Sequence, residues 1–331
     1  MNKEQYIEII DNEFIKKNVL VIGDLMVDRY IAGKVRKLSP EAPVPVLDYS
    51  DKKFVAGGAS NVVNNLIGLG AKVRVAGIVS NDLAGRWLKD ELAGRGALID
   101  GIYETNERPT TMKTRYTTKG IQLLRVDRES TNDISDAAKE YIEAYLESNA
   151  ASLDAVVFSD YLKGVLKDPS FVKKLIGICR ANNIFVAADS KTDEVGAFAG
   201  ADIMTPNVDE VSSAVGIKIE IDEDVDEAGK RYLLESGVRV LLVTRGDKGI
   251  SVFAANQSRK DFPAKDVEVF DVSGAGDTVI STITIASVCN LGIEDAVKLG
   301  NIAAGIVISK RGTVAIEKEE LLRSINEIKN S

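Results

Sequence analysis

The sequence predicts an α/β protein built on a doubly wound, mainly parallel sheet with helices on both of its faces. Three observations carry that expectation. Five short apolar runs recur along the chain, bounded by polar residues or glycine and too short to be helices. Longer amphipathic stretches lie between them. Several of the runs end in Asp or Thr, the residues expected where the carboxyl edge of such a sheet meets a ligand.

The elements follow in order. "VLVIGD" (19–24) is the first strand and ends on Asp24, and helical patterns near 60–70 and 82–95 flank the strand "VRVAGI" (73–78). A helix near 134–149 precedes "DAVVFSD" (154–160), which ends on Asp160, and a helix near 168–182 precedes "IFVAADS" (184–190), which carries Asp189. Helices near 207–216 and 222–236 lead to "VRVLLVT" (238–244) with Thr244 at its end, and three more helices fill 275–290, 293–309 and 317–328. Two stretches break the rhythm. Residues 30–55 hold three prolines, and residues 110–128 alternate in a β-like way around a Lys-Gly turn. Strands of this kind predict a small sheet projecting from the main body, as a lid or as a surface hairpin without a role.

Composition narrows the function. The 331 residues are 45% hydrophobic, enough for one large α/β unit with a sizeable core, so one domain over 1–331 is expected. The 42 Lys and Arg against 50 Asp and Glu leave a net charge of −8, which disfavours nucleic acid as a partner. Cys179 and Cys289 sit far apart in apolar helical stretches and read as buried structural thiols. No charged leader precedes an apolar segment and no uncharged run is long enough to span a bilayer, so the expectation is a cytoplasmic protein with no membrane partner. The count of histidines is 0, which removes Ser-His and Cys-His nucleophiles and imidazole bases. A general base must be a carboxylate, Lys, Tyr or Cys.

"DVSGAGDT" (271–278) offers one. Gly274-Ala275-Gly276 opens a helix whose free amides and dipole favour an anion, and Asp277 follows in the first turn. There it can be a plain partner of the helix dipole. Beside a bound anion it can instead take a proton from an attacking hydroxyl while the amides stabilise the group in transfer. The chain has no G-x-x-x-x-G-K-[ST] motif, and "GAGDTV" lacks the third glycine of the dinucleotide fingerprint.

"DVSGAGDT" resembles the second signature of the ribokinase-type, or PfkB, sugar kinases, and "GGASNVVNNLIGLGA" (57–71) is similar to the segment around their first. "TPNVDE" (205–210) resembles their N-x-x-E element and "VTRGDKG" (243–249) their nucleotide loop. The motifs come in the family's order and span almost the whole chain. Within the family, "GDLMVDRYIAGKVRKLSPEAPVPVL" (23–47), "SDYLKGVL" (159–166) and "LLRVDRE" (123–129) resemble the heptose-7-phosphate kinases of ADP-heptose synthesis.

The resemblance implies a ribokinase-like fold with a β lid, and roles for particular residues. Asp277 would be the base, with the backbone of Gly274, Ala275 and Gly276 as anion hole. Asn207 and Glu210 would organise Mg²⁺ near the phosphates of ATP, although a plain helix cap explains the same pair. Thr244, Gly246 and Gly249 would touch the nucleotide and Asn301 would approach adenine. Asp271 and Ser273 would begin a K⁺ site completed by backbone around Lys310 and Gly312. Asp28, Gly57, Gly58 and Asn61 would hold the sugar. Lys113, Arg115, Arg125, Lys163 and Lys191 lie near the expected mouth, where a substrate phosphate would need cations.

The reaction so implied is transfer from ATP to the 1-position of a heptose 7-phosphate, in a homodimer joined through the lid. The alternatives are another sugar, nucleoside or hexose-phosphate kinase of the same fold, and a sugar-binding regulator without catalysis. Two departures bear on the sugar: the lid reads "GIQLLR" in place of paired glutamines, and "ADSK" (188–191) stands where Asp-Pro-Lys is usual.

Overall fold

The computed structural model describes residues 3–327; position 328, the expected end of the last helix, lies outside them. In chain order the elements are α1 (Lys3–Asn12), β1 (Asn18–Gly23), β2 (Leu25–Leu38), β3 (Pro45–Gly58), α2 (Ala59–Gly68), β4 (Lys72–Ser80), α3 (Leu83–Gly94), β5 (Leu98–Thr105), β6 (Thr111–Thr118) and β7 (Ile121–Arg128). Then come α4 (Asp136–Asn149), β8 (Ala155–Asp160), α5 (Pro169–Ala181), β9 (Phe185–Ser190), β10 (Ile203–Met204), α6 (Val208–Val215), α7 (Asp222–Ser236) and β11 (Val240–Thr244). The chain closes with β12 (Ile250–Ala254), β13 (Lys260–Phe262), α8 (Ala275–Val288), α9 (Ile293–Ile308) and α10 (Lys318–Glu327).

The large sheet has the order β13-β12-β11-β10-β9-β8-β1-β4-β5 and is parallel up to β11, after which β12 and β13 run antiparallel. From β1 the chain builds outward through β4 and β5, then returns to β8 on the other side of β1. Strand order therefore reverses between β1 and β8, and Asp24 and Asp160 stand at that switch point. The strands approach closely there: a Cβ on Gly23 would lie 1.9 Å from the Ser159 carbonyl oxygen.

Alternation along β1 explains the two helical layers. Val19 and Val21 pack into one apolar cluster with Val62 and Ile283, while Leu20 and Ile22 pack into another with Ile142 and Leu175. Every expected strand and helix forms in place. Cys179 and Cys289 are buried free thiols, and among the described residues no helix is long and apolar enough to cross a membrane.

The lid is a separate sheet of order β3-β2-β6-β7. Its hairpin β6–β7 turns on Lys119 (φ 49°) and Gly120 (φ 82°), the left-handed pair that matches strand twist. Its centre is a parallel pairing, Asp28 beside Lys113 and Tyr30 beside Arg115, which joins the two expected segments into one platform. The lid strands are longer at the root than the sequence predicts. β2 starts at Leu25, one residue after Asp24, and β3 runs to Gly58, so the lid is rooted directly in the sheet. Sequence reading left α1, β5, β10, β12 and β13 unassigned; the apolar pattern of β5 is interrupted by Asp100-Gly101, and β10, β12 and β13 have only 2, 5 and 3 residues.

α8 lies in the middle, with Asp277 through Ala286 all buried. Two of its buried hydroxyls bond back to carbonyls one turn earlier, Ser281 to Asp277 and Thr282 to Thr278, while that of Thr284 is left without a hydrogen bond. Asn65 of α2 ties the layer together. Its Nδ2 donates to the Asn61 carbonyl, and its Oδ1 accepts from Thr278 Oγ1 at 2.9 Å and from the Ile316 amide at 3.0 Å. Asn65→Ala strands the Ile316 amide in the interior, at about 1–3 kcal/mol, while the Thr278 hydroxyl keeps the Gly274 carbonyl at 3.0 Å. Urea unfolding should show a loss of at least that size.

Candidate active site

The site forms where α8 begins against the carboxyl ends of β1, β8 and β9. Gly274 caps the helix at φ 83°, a left-handed conformation, and a Cβ there would lie 2.6 Å from Asn61 Nδ2. Glycine is required on both counts. The expected anion hole is narrower than the sequence suggests. The Ala275 amide already donates to the Val272 carbonyl at 3.2 Å, which leaves the first-turn amides of Gly276 and Asp277 to meet an anion.

Asp277 is 4% exposed, and each of its carboxylate oxygens holds one fixed donor. Tyr161 Oη donates to Oδ1 at 2.7 Å and Asn61 Nδ2 to Oδ2 at 2.7 Å. Burial pushes its pKa up, while the two hydrogen bonds and Lys191 pull the other way. Asn61 was expected beside the sugar; Tyr161 was not singled out, although it lies inside "SDYLKGVL".

The root of the lid brings together three residues expected beside a sugar, Asp28, Gly57 and Gly58. Asp28 is 6% exposed, and a Cβ on Gly57 would come within 2.5 Å of its Oδ2, so backbone and carboxylate share one corner. Gly58 caps α2 at φ 56°. The expected cations are present, but four of the five are already paired. Arg115 bonds Asp28 and stacks 5.3 Å from the Tyr30 ring; Lys163 meets Glu129 at 2.8 Å; Lys191 meets Glu210 at 2.6 Å; Arg125 meets Asp127 at 3.0 Å. Lys113, beside Asp28 in the sheet, has no ion pair among the described residues.

On the other side of α8 a cleft of about 520 Å³ is lined by Thr244, Gly246, Gly249, Val267, Gly276 and Asn301. Gly249 has φ 82°, and a Cβ would strike the Phe262 carbonyl oxygen at 2.0 Å. The Asn301 side chain borders the cleft but spends its amide on the carbonyls of Phe262 and Pro263, so it holds the rim as well as lining it.

Asn207 and Glu210 form a reciprocal helix cap: Glu210 N donates to Asn207 Oδ1 at 2.9 Å, and Asn207 N donates to Glu210 Oε2 at 2.8 Å. The helix-cap reading of this pair is what the hydrogen bonds show; Glu210 Oε1 in addition faces Lys191, beside the buried Asp189, whose pKa burial pushes up to about 7. No group of three or more potential ligands gathers among the described residues. A Mg²⁺ held mainly by substrate phosphates needs only one or two carboxylates and waters, and Glu210 with Asp189 fits that donor set. Asp271 accepts the amides of Ser273 at 2.9 Å and Gly312 at 3.1 Å, which joins the two halves expected of the K⁺ site. The Lys310 side chain turns away to Glu320.

Comparison with known proteins bears on the family and the fold. The model of the pfkB family of carbohydrate kinases matches residues 16–320. The bifunctional protein HldE of Geobacter metallireducens is 39% identical over 308 residues, covering 93% of this chain and 63% of that protein, and HldE of Geobacter sulfurreducens matches to the same extent. The chain thus spans less than two thirds of these curated relatives. Among solved structures, Arabidopsis thaliana ribokinase complexed with ribose and ATP superposes with TM-score 0.75 at 19% identity, covering 93% of this chain and 98% of that one. Escherichia coli phosphofructokinase-2 in complex with potassium gives TM-score 0.75 at 16% identity, covering 94% and 98%. With a buried carboxylate at the mouth of α8, a lid over it and a family match along nearly its whole length, the chain belongs to the pfkB family of ATP-dependent carbohydrate kinases.

Proposed function

We propose that the protein transfers the γ-phosphoryl of ATP to O-1 of D-glycero-D-manno-heptose 7-phosphate. The observation that carries the phosphotransfer is Asp277, a buried carboxylate within one helical turn of free amides and between the lid and the 520 Å³ cleft. ATP fills the cleft with its phosphates toward Gly246 and the amides of Gly276 and Asp277. The sugar lies under the lid against Asp28, Gly57, Gly58 and Asn61. Asp277 takes the proton of the attacking hydroxyl, and the helix amides hold the charge of the phosphoryl in transit. Mg²⁺, when bound with the nucleotide, neutralises charge on its phosphates; Glu210 and Asp189 are the residues to hold it. Asp271 is the residue to order the 308–312 segment around K⁺.

The choice of heptose 7-phosphate is supported by the likeness to the HldE proteins, which extends over 93% of the chain. One observation favours a second reading, a kinase for a sugar without phosphate. Arg115, Lys163, Lys191 and Arg125 already have carboxylate partners, which leaves Lys113 as the cation ready for a substrate anion. The homodimer is supported by the outer lid face. Register places Tyr116 beside Leu124 there, with Leu124 56% and Val126 47% exposed, and an apolar edge of this kind needs cover.

Asp277→Asn should lower kcat by about 10²–10⁴-fold and leave ATP affinity unchanged. Coupled ADP release checks it, and a variant with more than about a third of wild-type kcat removes the base role from Asp277. In the same assay, heptose 7-phosphate should exceed free heptose in kcat/KM by about 10²-fold, and Lys113→Ala should cost the phosphorylated sugar about tenfold while sparing the free one. Equal kcat/KM for the two sugars moves the assignment to the second reading. Sedimentation at micromolar concentration should give a dimer that Val126→Asp dissociates; a fully active wild-type monomer overturns the lid pairing.

A further inference from the structure

We propose that Tyr161 is a positioning residue for the base, and that Asp24 sets it by folding the loop that carries it. The proposal rests on Asp277 acting as base and adds the residues that keep it ready.

The loop after β8 is built around one carboxylate. Asp24, 1% exposed at the end of β1, accepts the amides of Tyr161 and Lys163 on Oδ2, both at 2.8 Å, and that of Val165 on Oδ1 at 3.1 Å. To bring three amides onto one side chain the backbone turns left-handed twice, at Leu162 (φ 57°) and Gly164 (φ 103°). A leucine in that conformation is strained, and the three bonds to Asp24 hold it. Gly164 cannot be replaced, since a Cβ there would meet the Asn132 carbonyl oxygen at 1.9 Å. A neighbouring tie locks the loop further, because Asp160 Oδ1 takes the Leu162 amide and Oδ2 takes the Ser190 hydroxyl.

From this loop the Tyr161 phenol reaches Asp277 Oδ1. Burial, then the field of Asp277, holds the phenol well above its ordinary range, so it donates at every physiological pH. With Asn61 on the other oxygen, the carboxylate has one rotamer and two donors, both of which favour its charged form. Lone pairs remain on each oxygen for an incoming hydroxyl. The other charged groups facing Asp277 are Lys191 and Asp189 from the β9 side and Asp28 from β2, and neither neighbouring carboxylate donates to it.

The test is a carbon-13 NMR titration of the full chain labelled at aspartate carboxyls, with the Asp277 signal assigned by its loss in Asp277→Asn. In Tyr161→Phe the midpoint of that signal should rise by about one to two pH units, the acid limb of kcat/KM measured with ATP and heptose 7-phosphate moving with it. In protein carrying difluorotyrosine at 161, a more acidic donor, the midpoint should fall; this arm decides the matter should the phenylalanine variant not fold. A midpoint unmoved in either protein overturns the positioning role and reduces Tyr161 to packing. A midpoint that moves while the acid limb stays in place supports the Tyr161–Asp277 link and overturns the base role of Asp277 instead.

Discussion

Holding the carboxylate of Asp277 inside the protein is the constraint on which the rest depends. Removing Asp277 from water is worth several kcal/mol against the charged form, and two hydrogen bonds to a charged acceptor return about 1.5–3 kcal/mol each. Both donors must therefore be held without slack. Asn61 is held by α2, which Asn65 fastens to α8 and to the segment at Ile316. Tyr161 is held by a loop moulded on Asp24. The doubly wound sheet supplies both, because its switch point puts the ends of β1 and β8 side by side beneath the mouth of α8.

The same logic explains how charge is distributed. Asp24, Asp28, Asp160, Asp189 and Asp277 are all buried at the carboxyl edge of the sheet, the root of the lid and the start of α8. Burial and the neighbouring Asp160 push Asp24 up to about 6, and burial pushes Asp189 up to about 7, so the group sits near the limit of negative charge it can carry. Lys191 is drawn in as counter-ion. Burial lowers its pKa, but Asp189 and Glu210 more than offset this and keep it protonated.

Much of this was legible in the sequence because it is local. "DVSGAGDT" announces a glycine cap, exposed amides and a first-turn carboxylate within eight residues, and the β-α rhythm places every expected strand of the large sheet. The partners of the cations were not legible. Arg115 meets Asp28 only because β2 and β6 run parallel in one register, a pairing between residues 87 apart. Tyr161 was invisible for a similar reason: its importance lies in a loop shaped by Asp24, 137 residues earlier. The short strands β12 and β13 have too few residues to establish a period, and the sheet, not the local pattern, makes them strands.

The pairing of Arg115 with Asp28 has a consequence for ligand discrimination. On the proposed reading, a sugar arriving under the lid meets an acceptor already half engaged: Arg115 occupies Asp28 Oδ1, and Oδ2, beside Gly57, keeps lone pairs for a hydroxyl. A hydroxyl that takes Oδ2 leaves the ion pair intact, so the guanidinium fixes which oxygen of Asp28 a ligand can use.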